Sequence, residues 1–201
     1  SDFSNENILF IRCIKGKKIM KKVNTLNLVF CALFAALTAV LSQFAIPIGP
    51  VPINLATMSL FIAGAVLGSK LGGLSQLVYV LLGAAGLPVF SEFSGGLQII
   101  AGPTGGYIIG YIATAWIVGF ITEHYGRNVL QLIIAMVMGL SVCLFMGTIW
   151  FMGVTKMGLW QSLSLCVFPF LIGDALKIAA SIAVVPQLSK IFGRIKTGQN
   201  V

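Results

Sequence analysis

Apolar positions in this chain come in blocks, with polar ones confined to short breaks. Residues 23–69, 71–91, 93–122, 128–155 and 157–173 contain no Asp, Glu, Lys or Arg. A spanning helix needs about 20 mostly apolar residues, so the blocks read as membrane helices and the charged breaks as their connections. The alternation of apolar and polar residues that marks a barrel strand is absent. The first block must hold two helices, because Pro47, Gly49, Pro50 and Pro52 interrupt it. The pattern predicts an all-α integral membrane domain of six transmembrane helices, at about 25–46, 54–70, 71–87, 104–122, 128–154 and 165–192.

Charge then orients the domain. Hydrophobic residues make up 58% of the chain and charged ones 9%, yet the formal net charge is +8. Such a balance invites a nucleic-acid reading, but the positions oppose it. Arg12, Lys15, Lys17, Lys18, Lys21 and Lys22 precede the first span; Lys70 and Arg127 fall between later ones; Lys190, Arg194 and Lys196 close the chain. All lie on one side of a six-span topology. Only Lys156 lies on the other, and Lys177 is within a span. This is the positive-inside bias, which places both termini in the cytoplasm and the protein in the cell membrane.

Other chemistries find no support. Cys13, Cys31, Cys143 and Cys166 are scattered without a C-x-x-C spacing and read as unpaired packing residues. His124, beside Glu123 and Arg127, reads as a surface histidine, and no metal-ligand cluster occurs. No G-x-x-x-x-G-K-[ST] loop is present, so this chain does not hydrolyse ATP. Residues 1–19 are polar and then basic, and Met20-Lys21-Lys22 resembles a natural start. The expected division is therefore a 1–19 extension (tag, upstream segment or interfacial arm) and a 20–201 membrane domain.

Three features are unusual for a plain helical bundle. In the first span, Ala32 and Ala36, and likewise Ala35 and Ala39, are four apart, which makes a smooth face for close helix approach. The Ile46-Pro47-Ile48-Gly49-Pro50-Val51-Pro52 connection should be stiff and extended, suited to capping a site. The connection from Gly86 to Gly106 is rich in glycine but still apolar, as backbone folded against protein would be. Glycine allows close ligand approach there, and the N–H groups of Gly105 and Gly106, at the start of the fourth helix, are placed to receive a carboxylate. Tyr107 adds a ring with a polar tip.

The sharpest feature is Asp174 with Lys177, three residues apart on one face of the last span. A charge at mid-membrane depth costs about 2.5–3.5 kcal/mol on insertion scales. Intramembrane charges mark a site or pathway by default, and this pair offers one acceptor and one donor group. Two readings stand: a structural ion pair, or the floor of an extracytoplasmic pocket lidded by the two loops.

Several stretches resemble the BioY family. They are Leu82-Gly83-Ala84-Ala85-Gly86-Leu87-Pro88-Val89-Phe90, Ser94-Gly95-Gly96, Gly102-Pro103-Thr104-Gly105-Gly106-Tyr107 and Pro169-Phe170-Leu171-Ile172-Gly173-Asp174-Ala175-Leu176-Lys177. Ile48-Gly49-Pro50-Val51-Pro52-Ile53 is similar too, and the likeness runs in order from about Met20 to the end. The resemblance implies the S-component fold of energy-coupling factor (ECF) transporters and capture of biotin from outside. It implies a membrane T component and two ATPase subunits as partners, with no cofactor. It also implies that Ala32 and Ala36, or Ala35 and Ala39, face the T component. Asp174, Lys177 and Tyr107 match the family's site positions. One departure stands out: where members often read Ile-Thr-Leu-Gln-Thr, this chain has Ile53-Asn54-Leu55-Ala56-Thr57.

On that reading Asp174 accepts from a ureido N–H of biotin and Lys177 donates to the ureido oxygen. Phe90, Phe93, Tyr107 and Trp150 pack on its apolar rings, and Asn54 joins the polar contacts from the second span. The carboxylate lies near Gly95-Gly96 or Gly105-Gly106. The reverse pose sets Lys177 on the carboxylate. The rival readings are an S component for another vitamin, a self-sufficient oligomeric transporter, a structural membrane protein and an intramembrane protease. For the last, Leu171 breaks the G-x-G-D pattern and a second membrane aspartate is missing.

Overall fold

The computed structural model describes residues 25–47 and 50–198. Among them the chain is helical nearly throughout: α1 (Thr25–Ser42), α2 (Ala56–Leu67), α3 (Ser69–Ala84), α4 (Leu97–Ala101), α5 (Gly105–Tyr125), α6 (Val129–Thr155), α7 (Leu159–Cys166) and α8 (Phe168–Gly198). The expected 1–19 extension lies outside the described residues. Thr25–Ser42, Gly105–Tyr125, Val129–Thr155 and the run Leu159–Ile195 are long and apolar enough to cross a membrane; α2 and α3 are shorter.

Departures from the expected spans have local causes. The first span stops at Ser42 rather than near 46, because Ala45–Ile46 (β1) pairs antiparallel with Ile53–Asn54 (β2). Two short strands thus depart from an all-helical chain; of the proline-rich link between them, Ile48 and Gly49 lie outside the described residues, and Val51 is only 4% exposed. Proline lacks the N–H that would continue a helix and turns the residue before it away from helical backbone. The last span is two helices, α7 and α8, broken at Val167, and Pro169 falls in the first turn of α8, where its missing N–H costs no helical hydrogen bond.

Glycine sets the packing. Without a hydrophobic drive between helices in lipid, close backbone approach and hydrogen bonds hold the bundle. A Cβ at Gly139 of α6 would lie 2.9 Å from Val118 of α5, and Thr114 Oγ1 of α5 lies 3.0 Å from the Gly139 carbonyl oxygen. At the α2–α3 corner Gly68 takes φ +88, where a side chain would strike Glu123. Ser69 closes that corner by donating to Glu123 at 2.6 Å.

The glycine-rich connection after α3 is folded onto the bundle. Gln43, at the end of α1, donates to the Phe90 carbonyl oxygen at 3.1 Å and accepts from the Phe93 N–H at 2.9 Å. Ser42 Oγ lies 2.6 Å from the Val89 carbonyl oxygen, and the Gly96 N–H donates to Gly83 at 2.7 Å. Phe90 is buried edge-on against Tyr79, 5.6 Å between centroids. These bonds satisfy polar backbone that would otherwise be costly in an apolar setting.

Candidate ligand-binding site

Asp174 and Lys177 lie in the first turns of α8, and their i,i+3 spacing brings them onto one face. Lys177 Nζ donates to Asp174 Oδ1 at 2.9 Å, with side chains only 6% and 2% exposed. Helix α8 starts at Phe168, so at 1.5 Å per residue Asp174 sits about 9 Å beyond its start. Desolvating two charges is expensive, and their attraction offsets it only when the remaining donors and acceptors are also satisfied. Among the described residues each makes only this one side-chain hydrogen bond. Two Lys177 protons and Asp174 Oδ2 therefore remain for a guest.

The pair faces a small inner cavity of about 30 Å³. Its walls come from α8 (Phe170), α6 (Leu140, Cys143), α5 (Tyr107, Tyr111) and the start of α2 (Thr57). Adjoining it is a second space, the outer cleft, of about 240 Å³. Val51, Pro52, Asn54, Tyr107 and Tyr111 border both spaces and form the partition between them.

Further polar atoms face the inner cavity and its partition. Thr57 Oγ1 is buried without a hydrogen-bond partner. Such an orphan costs about 1–3 kcal/mol and is rare enough to need a reason. A ligand polar atom in the inner cavity would supply one. Tyr107 is buried, stacked parallel to Phe170 at 6.4 Å, with its hydroxyl 3.4 Å from Thr148. Tyr111 stacks on Tyr79 at 6.3 Å, so three tyrosines and Phe90 give the site a rigid aromatic wall.

The expected residues divide. Asp174, Lys177, Tyr107 and Asn54 meet at the inner cavity, and Phe90 lines the outer cleft. Asn54 has structural work as well: its Oδ1 accepts from the Ala56 N–H at 3.1 Å and its amide donates to Ser91 at 2.7 Å. Phe93 is not brought in. Its backbone takes φ 53 and its ring is 73% exposed, while Glu92 takes the place at the cleft. Trp150 lines neither space; its Nε1 donates to the Gly102 carbonyl oxygen at 3.0 Å and so holds the start of α5. Gly95 and Gly96 line neither space, and a Cβ on them would meet the Leu87 carbonyl and the Gln98 side chain. On α1, Ala32 and Ala36 are exposed, whereas Ala35 is buried and Ala39 half-buried.

Thr57, Tyr79 and Tyr111 escaped the sequence reading. Tyr111 had a signal: it follows Tyr107 by one helical turn and so shares its face. Thr57 and Tyr79 had none, since their place at the site depends on how α2 and α3 pack against α5. Among the described residues no group of three or more His, Cys, Asp or Glu comes together to hold a metal.

Residues 17–194 match the BioY family. The chain is 42% identical over 160 residues to a protein of Pyrococcus horikoshii named probable biotin transporter BioY, covering 78% of this chain and 92% of that one. A Thermotoga maritima protein named biotin transporter BioY is 34% identical over 165 residues, covering 82% and 96%. Among solved structures, the S-component for biotin from an ECF-type ABC transporter is similar with a TM-score of 0.78 and 30% identity, covering 86% of this chain and 95% of that one.

Proposed function

The chain belongs to the BioY family, and on that premise we propose that it is the biotin-binding S component of an ECF-type importer. It is a multi-pass membrane protein and not an enzyme. Its α1, α2, α3, α5, α6 and α7–α8 make six crossings with both termini in the cytoplasm, as the lysine and arginine positions favour. Biotin enters from outside through the outer cleft. A T component and two ATPase subunits supply the energy for release inside.

The observation that carries this reading is the buried Asp174–Lys177 pair with its unused donors and acceptor, set in one cavity with the orphan Thr57 hydroxyl. The bicyclic head of biotin has two ureido N–H donors and one carbonyl acceptor, which complement Asp174 Oδ2, Thr57 and Lys177. The aromatic wall of Tyr107, Phe170 and Tyr111 packs on the thioether ring. The carboxylate tail points back to the outer cleft. A cavity of about 30 Å³ is too small for the bicycle. On this reading biotin parts Val51–Pro52 from the two tyrosines and joins the inner and outer spaces.

Equilibrium binding of biotin to the detergent-purified chain tests this, beside Asp174→Asn and a panel of competing vitamins. Tight binding that Asp174→Asn abolishes and only biotin competes away is the expected result. Binding of another vitamin in preference would overturn the ligand. A biotin amide that binds as tightly as biotin assigns Lys177 to the ureido end, and a large loss of affinity assigns it to the carboxylate. Uptake by the purified chain alone in vesicles would refute the dependence on partner ATPases.

A further inference from the structure

A second concavity lies away from this site, on the outer surface where α3 and α5 run side by side. It is an open groove of about 510 Å³. Gly73, Leu74 and Leu77 form one wall, Ile112 and Trp116 the other, and Lys70 stands at one end. The two helices are antiparallel: Gly119 of α5 packs on Gly68 and Ser69, and Ser69 bonds Glu123. The Lys70 end of the groove is therefore the C-terminal end of α5.

Charge and aromatic residues gather at that end. Lys70 is exposed and has no ion-pair partner among the described residues. The acid nearest in the fold, Glu123, accepts from the Ser69 hydroxyl. Arg127 keeps a second positive charge here, with its Nε donating to the Ala65 carbonyl oxygen at 2.8 Å. Trp116 is 48% exposed and stacks on Phe120 at 5.4 Å, which in turn meets His124 at 4.2 Å. An aromatic run ending in basic residues is what a helix presents at the headgroup level of a bilayer.

We propose that this groove is a binding site for one anionic phospholipid, with its phosphate at Lys70 and an acyl chain along Gly73, Leu77 and Ile112. The shape and chemistry match an amphiphile: one cation at one end, and an otherwise apolar trough leading away from it. A polar peptide would leave most of its hydrogen-bonding groups unpaired in the trough. Gly73 is the floor. A Cβ there would lie 3.6 Å from the Trp116 Cβ, an ordinary contact, so a methyl fits but a longer side chain fills the space meant for the lipid. The site is independent of the biotin reading, since none of its residues borders the Asp174 cavity.

Native mass spectrometry of the full chain from micelles tests the site, with equal amounts of an anionic and a zwitterionic phospholipid of identical chains. One anionic lipid should be retained in preference to the zwitterionic one. Lys70→Gln should cut that preference about fivefold, and Gly73→Leu should lower retention of both lipids. Thermal stability and biotin binding serve as folding controls. Should Gly73→Leu not fold, anionic lipid with brominated chains should quench the fluorescence that Trp116→Phe removes, more than zwitterionic lipid does. Equal retention of the two lipids, a Lys70→Gln preference equal to wild type, or capture of a second chain instead of lipid would overturn the proposal.

Discussion

Replacing Lys177 with Met separates a structural ion pair from a ligand site. The substitution keeps an unbranched apolar stem but leaves the Asp174 carboxylate, itself 2% exposed at the side chain, without its counterion. Breaking a buried pair from one side costs about 3–5 kcal/mol of stability, most of it the penalty of the stranded charge. It also removes a charged donor to the ligand. That loss is worth about 1.5–3 kcal/mol, or a weakening of biotin binding by roughly 10- to 150-fold. The variant Asp174→Leu/Lys177→Met strands no charge and fills the same space with apolar atoms. Its stability should return close to wild type, because replacing both members of a buried pair is often neutral or better. Its affinity should remain lost, because the ligand now meets no polar partner on α8. Melting in detergent and equilibrium binding, measured on all three chains well below their melting points, give the two readouts. Recovery of affinity along with stability in the double variant would refute the argument and leave the pair as scaffolding.

Three further outcomes are expected. Thr57→Val removes the orphan hydroxyl, so the free protein should hold its stability or gain about 1 kcal/mol while biotin binding weakens about 2- to 10-fold; unchanged affinity in a titration would show that the hydroxyl serves no ligand. Gln43→Leu cuts both bonds that hold the 90–93 segment to α1, so amide exchange at Phe93 and Ser94 should speed up by at least about tenfold, read by mass spectrometry. Ala36→Leu on the exposed side of α1 should leave biotin affinity within about twofold yet abolish co-purification with a T component. Ala35→Leu, at a position only 2% exposed, should instead lower the melting temperature through overpacking.

Much of the site is legible in the amino-acid order because lipid makes some residues conspicuous. Asp174 and Lys177 stand out since few apolar segments tolerate a charge without using it. Their contact follows from the i,i+3 geometry of a single helix, which needs no tertiary information. The same holds for Ala32 and Ala36, whose spacing alone defines a stripe. Which alanine stripe faces outward is another matter. That depends on the side of α1 taken by α2 and α3, which Thr38 meets at Ser59 and Gln76, and Ala35, about one turn earlier, is only 2% exposed.

Aromatic candidates fared differently for the same reason. Phe90 and Phe93 have equal claims in the primary structure. Gln43, 50 residues before Phe93, anchors the segment so that one ring turns in and the other out. Trp150 likewise had a claim that only the packing of α6 on α5 redirected, toward the Gly102 carbonyl oxygen.

The chain's order of apolar blocks, prolines and basic residues by itself establishes a helical membrane protein, the approximate places of its helices and one intrahelical ion pair, since each of these depends on local composition or on a single helix period. The tertiary structure alone brings Thr57 and Tyr111 to that pair and Tyr79 to the adjoining cleft, pairs Ala45–Ile46 with Ile53–Asn54, and lays α3 against α5 to form a groove ending at Lys70. These are meetings between distant segments, set by which glycines let helices approach. No local pattern contains them.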